Sequence, residues 1–189
     1  MPRYIALLRG INVGGKNKIS MKELKELFEE NGCKDVVTYI NSGNIIFSRD
    51  SENDSGNNEN VESLKKRCEA FITRRYGMEL PVMVVTDIEL LDVLDNAPEW
   101  WDADRDSKHN ALFIIPPITV EDVFREVGEP RTEYEKVASH GRVIFWSAPL
   151  KTFSRTRWSR IVEKQIYDNV TIRNSNTVKA LARLCRGGD

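Results

Sequence analysis

A chain of 189 residues that is 40% hydrophobic and 30% charged can bury one substantial core or two small ones packed together, and it reads as a soluble globular protein. A net charge of −1 argues against a nonspecific polyanion binder, and three scattered cysteines with two histidines, His109 and His140, leave no spacing suited to zinc. The apolar run that follows Met1-Pro2-Arg3 ends at Arg9, too short for a signal segment or a membrane span, so the expectation is a cytoplasmic protein without membrane association, metal or cofactor.

The first element is a strand at about 3–9, and it runs into Arg9-Gly10-Ile11-Asn12-Val13-Gly14-Gly15-Lys16-Asn17-Lys18. A glycine-rich, lysine-bearing turn between a strand and a helix is where backbone amides can wrap an anion. Ser20 with Glu23 three residues on predicts a capped helix, with Met21, Leu24, Leu27 and Phe28 on one face and Gly32 at its end. Val36–Ile40 and Ile45–Ser48 predict two short strands around the turn Asn41-Ser42-Gly43-Asn44. A polar insert, Arg49–Asn60, reads as a mobile loop without function. Val61, Leu64, Cys68, Phe71 and Ile72 mark a second helix, and Gly77 and Pro81 lead to a strand at Val82–Val85, completing the order βαββαβ.

A connecting helix at about 88–95 and an acidic loop with Trp100-Trp101 precede a second half of the same order. It runs through a strand at Ala111–Ile115, a helix capped by Thr119, strands near 134–138 and 142–147 around His140-Gly141, a helix opened by Ser154, a strand at Val170–Ile172 and a terminal helix. Gly43-Asn44-Ile45-Ile46-Phe47 and Gly141-Arg142-Val143-Ile144-Phe145 agree at four of five positions when Ile and Val are equated, which suggests duplication. The expected fold is α+β, two ferredoxin-like βαββαβ units in tandem with a connecting helix and a C-terminal helix, divided at 1–86, 87–108 and 109–189. In such a unit the loops 10–19, 41–44 and 77–81 all lie at one end of the sheet.

Charge is unevenly spread. Residues 87–106 carry eight acids against Arg105, whereas 151–186 carry nine bases against Glu163 and Asp168; the basic segment reads either as solvated helix faces, partly paired with the acidic segment, or as a surface for phosphates. Gly10 to Lys16 nearly spells the phosphate-binding G-x-x-x-x-G-K, but Asn17 stands where the magnesium-binding hydroxyl is needed. Ser42 has no histidine near it in sequence, so it is a poor nucleophile. Trp100, Trp101 and Trp146 read as packing groups, and His109 and His140 as structural or solvent-facing. Asn174 or Asn176 suits the cap of the terminal helix, which leaves the other Asn and Arg173 for a ligand.

The segment Ala6 to Lys16, Ser20-Met21 with Leu24, Thr38-Tyr39-Ile40-x-Ser42-Gly43-Asn44 with Phe47, and Arg173-Asn174-x-Asn176-Thr177-Val178 together resemble the bacterial family known as domain of unknown function 1697. The resemblance spans essentially the whole chain and departs at Ser175, where an aromatic is expected, and at Phe153–Arg157, where a Ser-Lys-Leu-Thr-like run is expected. It implies a two-part α+β fold and brings no activity, substrate or catalytic residue.

The functional expectation is binding of a phosphate- or carboxylate-bearing small molecule or a nucleic acid. The candidate ligand-binding residues are Arg9, Gly10, Asn12, Gly14, Gly15, Lys16, Lys18, Ser42, Gly43 and Asn44, completed by Arg173, Asn174, Asn176 and Thr177. An enzyme of unknown reaction in the same cleft, and a structural or protein-interaction module, are the alternatives; no complete catalytic constellation is present in the sequence, and the oligomeric state is not legible.

Overall fold

The computed structural model describes residues 2–50 and 60–187, so positions 51–59 of the polar insert lie outside the described residues. The chain is mixed α+β and forms two compact units, residues 1–91 with 181–189, and residues 92–180. Each unit is built on one four-stranded antiparallel sheet.

In the first unit the elements run β1 (Arg3–Leu8), α1 (Met21–Glu30), β2 (Lys34–Tyr39), β3 (Asn44–Ser48), α2 (Val61–Tyr76), β4 (Val82–Thr86) and α3 (Asp87–Asp95), the last crossing into the second unit. The sheet order is β2-β3-β1-β4. The period-2 pattern of β1 places Tyr4, Ala6 and Leu8 on one face, where Leu24 and Phe28 of α1 and Leu64, Cys68, Phe71 and Ile72 of α2 cover them. Phe28 meets Phe47 edge-on at 5.3 Å and Phe71 at 4.9 Å, so a single aromatic joins both helices to β3. The helix ends follow the sequence: the Ser20 side chain accepts from the Glu23 amide, that of Asn60 accepts from the Ser63 amide, and Gly77 closes α2 in the left-handed region.

The second unit contains β5 (Ser107–Ile114), α4 (Val120–Val127), β6 (Lys136–His140), β7 (Val143–Pro149), β8 (Val170–Asn174) and the start of α5 (Ser175–Cys185), with sheet order β6-β7-β5-β8. Thr119 and Asp122 form a complete capping box on α4.

One expectation fails here. Ser154 opens no α-helix; between β7 and β8 the chain makes three 3₁₀ segments, Leu150–Arg155, Trp158–Glu163 and Gln165–Asn169. The reason lies in the period. The fully buried pair Trp158 and Ile161 is spaced by three, the repeat of a 3₁₀ turn, and no stripe at i, i+3, i+4 and i+7 accompanies it. Trp158 packs edge-on against Phe124 of α4 at 5.0 Å and belongs to the core of this unit. Trp101 is also core, edge-on to Phe145 at 5.1 Å with its indole N–H donated to the Asn110 carbonyl.

None of the three cysteines forms a disulfide. Among the described residues no helix is long and apolar enough to cross a membrane.

Candidate functional site

The rim of the first sheet gathers the loops that the topology leads one to expect there. The Leu8 amide donates to the Gly43 carbonyl at 2.8 Å, and the Arg9 amide donates to the Pro81 carbonyl at 3.0 Å. The glycine loop folds as a miniature hairpin: Lys16 N–H donates to Val13 at 3.1 Å, Asn12 N–H donates to Asn17 at 3.1 Å, and Gly14 and Gly15 at its tip have φ of 58° and 77°. Two consecutive residues in the left-handed region are what a type I′ turn requires, which is why two glycines stand there. Their amides donate to no acceptor among the described residues, and both are exposed.

Asn12 is the latch of this rim. Its Nδ2 donates to the carbonyls of Ile19 at 2.9 Å and Asn41 at 2.8 Å, while its Oδ1 accepts from the Ile19 amide at 2.9 Å. The side chain therefore joins the loop to the 41–44 turn and has no amide hydrogen left for a ligand. Asn44 is fully buried and turned inward, its Nδ2 donating to the Tyr39 carbonyl at 3.0 Å and to Ser42 Oγ at 2.9 Å. Gly43 is buried as well. The turn thus supplies shape, and of its residues Asn41 alone reaches the cleft.

That cleft, about 550 Å³, is lined by Asn12, Gly15, Lys18, Ile19, Ser20, Met21 and Asn41 and opens on the N-terminus of α1. Of the residues expected from the sequence, it brings together Asn12, Gly15 and Lys18. Gly10, Gly14 and Lys16 belong to the same exposed loop without lining the cleft, and Arg9, half-buried, does not line it either. The ammonium groups of Lys16 and Lys18 have no carboxylate partner among the described residues, whereas Lys22 and Lys25 of α1 lie 3.9 and 3.8 Å from Glu26 and Glu29. Ser20 and Met21 were legible as a helix start, but their place in the cleft wall follows from the return path of the loop.

The C-terminal motif belongs to the second unit. Arg173 is buried on β8, its Nη1 donating to Thr171 Oγ1 at 2.8 Å and to the Ile172 carbonyl at 2.9 Å. Burial pushes its guanidinium down to about 10, and it lines neither cleft. Asn174 is the cap of α5, accepting from the Thr177 amide at 2.8 Å, and Thr177 is buried. Asn174 and Asn176 line a different cleft of about 850 Å³ with Asp102, Ala103, Asp104, Arg105, Ser107, Lys108, His109, Asn110, Phe153, Ser175 and Lys179.

Asp102 sits in that wall with φ 64°, accepting from Ser175 Oγ at 2.6 Å and ion-paired with Lys179. Burial pushes its carboxyl up, but the hydrogen bonds from Lys179 and Ser175 and the charge of Lys179 outweigh this and hold it below the ordinary aspartate value. A depressed carboxylate adds stability that is complete above its unfolded value and is lost as pH falls through the folded one. Thermal unfolding of Asp102→Asn and of the wild type should therefore differ most near neutral pH and converge as pH falls from about 5 to about 2. A gap that widens toward acid would contradict this ion pair.

His109, nearly buried, has Nδ1 2.7 Å from Ser147 Oγ and Nε2 2.8 Å from the Asp104 carbonyl, so it ties the acidic loop to the sheet. His140 pairs with Asp92 at 2.7 Å. Ser42 Oγ accepts from Asn44, and among the described residues no three His, Cys, Asp or Glu side chains converge to hold a metal.

The profile of a family described as protein of unknown function (DUF1697) matches residues 1–145. A solved structure, that of the conserved bacterial protein SP0830 from Streptococcus pneumoniae, is 28% identical, covers 97% of this chain and 98% of its own, and superposes with a TM-score of 0.85. No curated protein matches the chain.

Proposed function

Since the chain belongs to the DUF1697 family, whose description carries no activity, we propose a function from the geometry of its first unit: binding of a small phosphate- or carboxylate-bearing molecule in the cleft between the glycine loop and α1. One observation carries this reading. Lys18, without a carboxylate partner, and the exposed Gly15 lie in one concave wall with the N-terminus of a ten-residue helix. Undonated amides, a cation and the positive end of a helix dipole favour the same kind of ligand.

The volume, about 550 Å³, is that of a small-molecule site rather than a polynucleotide groove, and a net charge of −1 agrees. Matching strand orders in the two sheets support the finer reading of each unit as a ferredoxin-like split βαββαβ arrangement, the second with 3₁₀ turns in place of one helix, and of the chain as a duplication. Three cysteines kept as thiols suit a reducing compartment such as the cytoplasm.

The test is a titration of the intact chain with inorganic phosphate and with citrate, followed through backbone amide resonances. Gly14, Gly15 and Lys18 should shift saturably, and Lys18→Ala should weaken binding about tenfold, equivalent to about 1.4 kcal/mol. Lys16→Ala should have a smaller effect, because Lys16 stands outside the cleft wall. Identical affinity in wild type and Lys18→Ala would remove the basis of the proposal.

A further inference from the structure

The cleft of the second unit has a chemistry of its own, and the reading of the first unit makes no use of it. Its two acids are already committed. Asp102 is held by Lys179 and Ser175, and Asp104 Oδ1 accepts from the Asp106 amide at 2.9 Å, with its Oδ2 3.8 Å from His109. Two of its three cations are not: Arg105 and Lys108 are exposed and have no carboxylate partner among the described residues. Three cations against two carboxylates leave the charged lining of the cleft positive by one, although the surrounding segment is the most acidic of the chain.

Beside these cations stand three primary amides. The side chains of Asn110 and Asn176 make no hydrogen bond among the described residues, and Asn174 uses its oxygen on Thr177 but keeps both hydrogens. An amide both donates and accepts, which is what a hydroxyl group needs in a partner. The aromatic wall is not available for stacking. Lys108 Nζ lies 4.1 Å from the centroid of Phe153, and the same ring packs against Trp146 at 5.3 Å. A planar base would have to displace one of them. The N-terminal turn of the eleven-residue α5 also opens here, as a supplement to these side chains.

We infer that this cleft is a binding site in its own right, for a small phosphorylated polyol whose phosphate meets Arg105 and Lys108 and whose hydroxyls pair with Asn110, Asn174 and Asn176. Its volume, about 850 Å³, accommodates a molecule of that size with water. The site lies at the end of its sheet formed by the start of β5 and the end of β8, whereas the cleft of the first unit lies at the end of β1. If the two halves descend from one unit, each opened a different rim.

The test uses the full chain and ribose 5-phosphate as probe, with free ribose and inorganic phosphate beside it, read by side-chain and backbone amide resonances. Ribose 5-phosphate should shift the side-chain amides of Asn110, Asn174 and Asn176 saturably and bind at least about tenfold more tightly than ribose. Arg105→Gln combined with Lys108→Gln should weaken it about tenfold or more, with the rest of the spectrum unchanged because both positions are exposed. Silent asparagine amides, or equal affinity in the double variant, would overturn the inference. Shifts confined to Gly14, Gly15 and Lys18 would overturn it while upholding the first cleft, and shifts confined to the three asparagines would do the reverse.

Discussion

Glu135→Gln should destabilise the second unit by about 3 kcal/mol or more, a fall in melting temperature of about 6–12 °C for a chain of this length. Glu135 is 3% exposed, and its carboxylate forms no ion pair among the described residues; it is satisfied by four N–H groups. Oε1 accepts from the amides of Arg131 at 2.9 Å and Arg157 at 2.8 Å, and Oε2 accepts from the Trp158 amide and the Trp146 indole, both at 3.1 Å. The residue thereby fastens the turn before β6, the core face of β7 and the start of the second 3₁₀ segment to one point. Glutamine offers one oxygen in place of two and turns an NH₂ toward donors, so at least two of the four N–H groups lose their acceptor. Glu133→Gln, two residues away and exposed, is the control and should change stability by less than about 0.5 kcal/mol. Thermal or denaturant unfolding showing the two variants alike would mean that the carboxylate is dispensable.

The same residue shows where sequence reading reaches its limit. Elements with a repeating pattern were legible: the Leu24, Leu27 and Phe28 face of α1, the caps at Ser20 and Thr119, and the alternation along β1 each follow from local periodicity or spacing. The meeting of the glycine loop with the 41–44 turn was legible too, because strand order alone brings those loops to one rim. Glu135 carries no such signal, since its four donors are scattered from Arg131 to Trp158 and become neighbours only when the chain folds. Asn12 and Arg173 read as ligand groups by residue type, yet both are spent internally, one on carbonyls of the loop and of the 41–44 turn and the other in the sheet. Arg105 and Lys108 were hidden for the opposite reason. They sit among acids, and neither the pairing of Asp102 with Lys179 nor the hydrogen bond that Asp104 accepts from a backbone amide can be read from composition.

The rim of the first unit can be tested through its glycine. Gly43 has φ 75°, and a Cβ there would lie 2.8 Å from both Leu8 Cβ, which the backbone fixes, and Ile11 Cδ1, the end of a buried side chain. Gly43→Ala should therefore cost about 1–2 kcal/mol for the backbone and about 1–3 more for the overlap, together about 2–4 kcal/mol. Gly141, its counterpart in the second hairpin, has φ 54° with nothing within 4 Å of the added carbon, so Gly141→Ala should cost the backbone contribution alone, about 1–2 kcal/mol. The excess at Gly43 measures how tightly the turn is pressed against the glycine loop. Asn12→Ala attacks the same junction from the other side, removing three hydrogen bonds and leaving the amide of the buried Ile19 without its acceptor, at about 2–3 kcal/mol. Because both changes release one loop–turn contact, the double variant should lose less than the sum of the two, by at least about 0.5 kcal/mol. Either single variant should also blunt the phosphate response of Gly15 and Lys18 while leaving the asparagine amides of the second cleft unaffected. Additive stabilities with an intact phosphate response would show that the cleft keeps its shape without the latch, and the proposed site would then owe nothing to the turn.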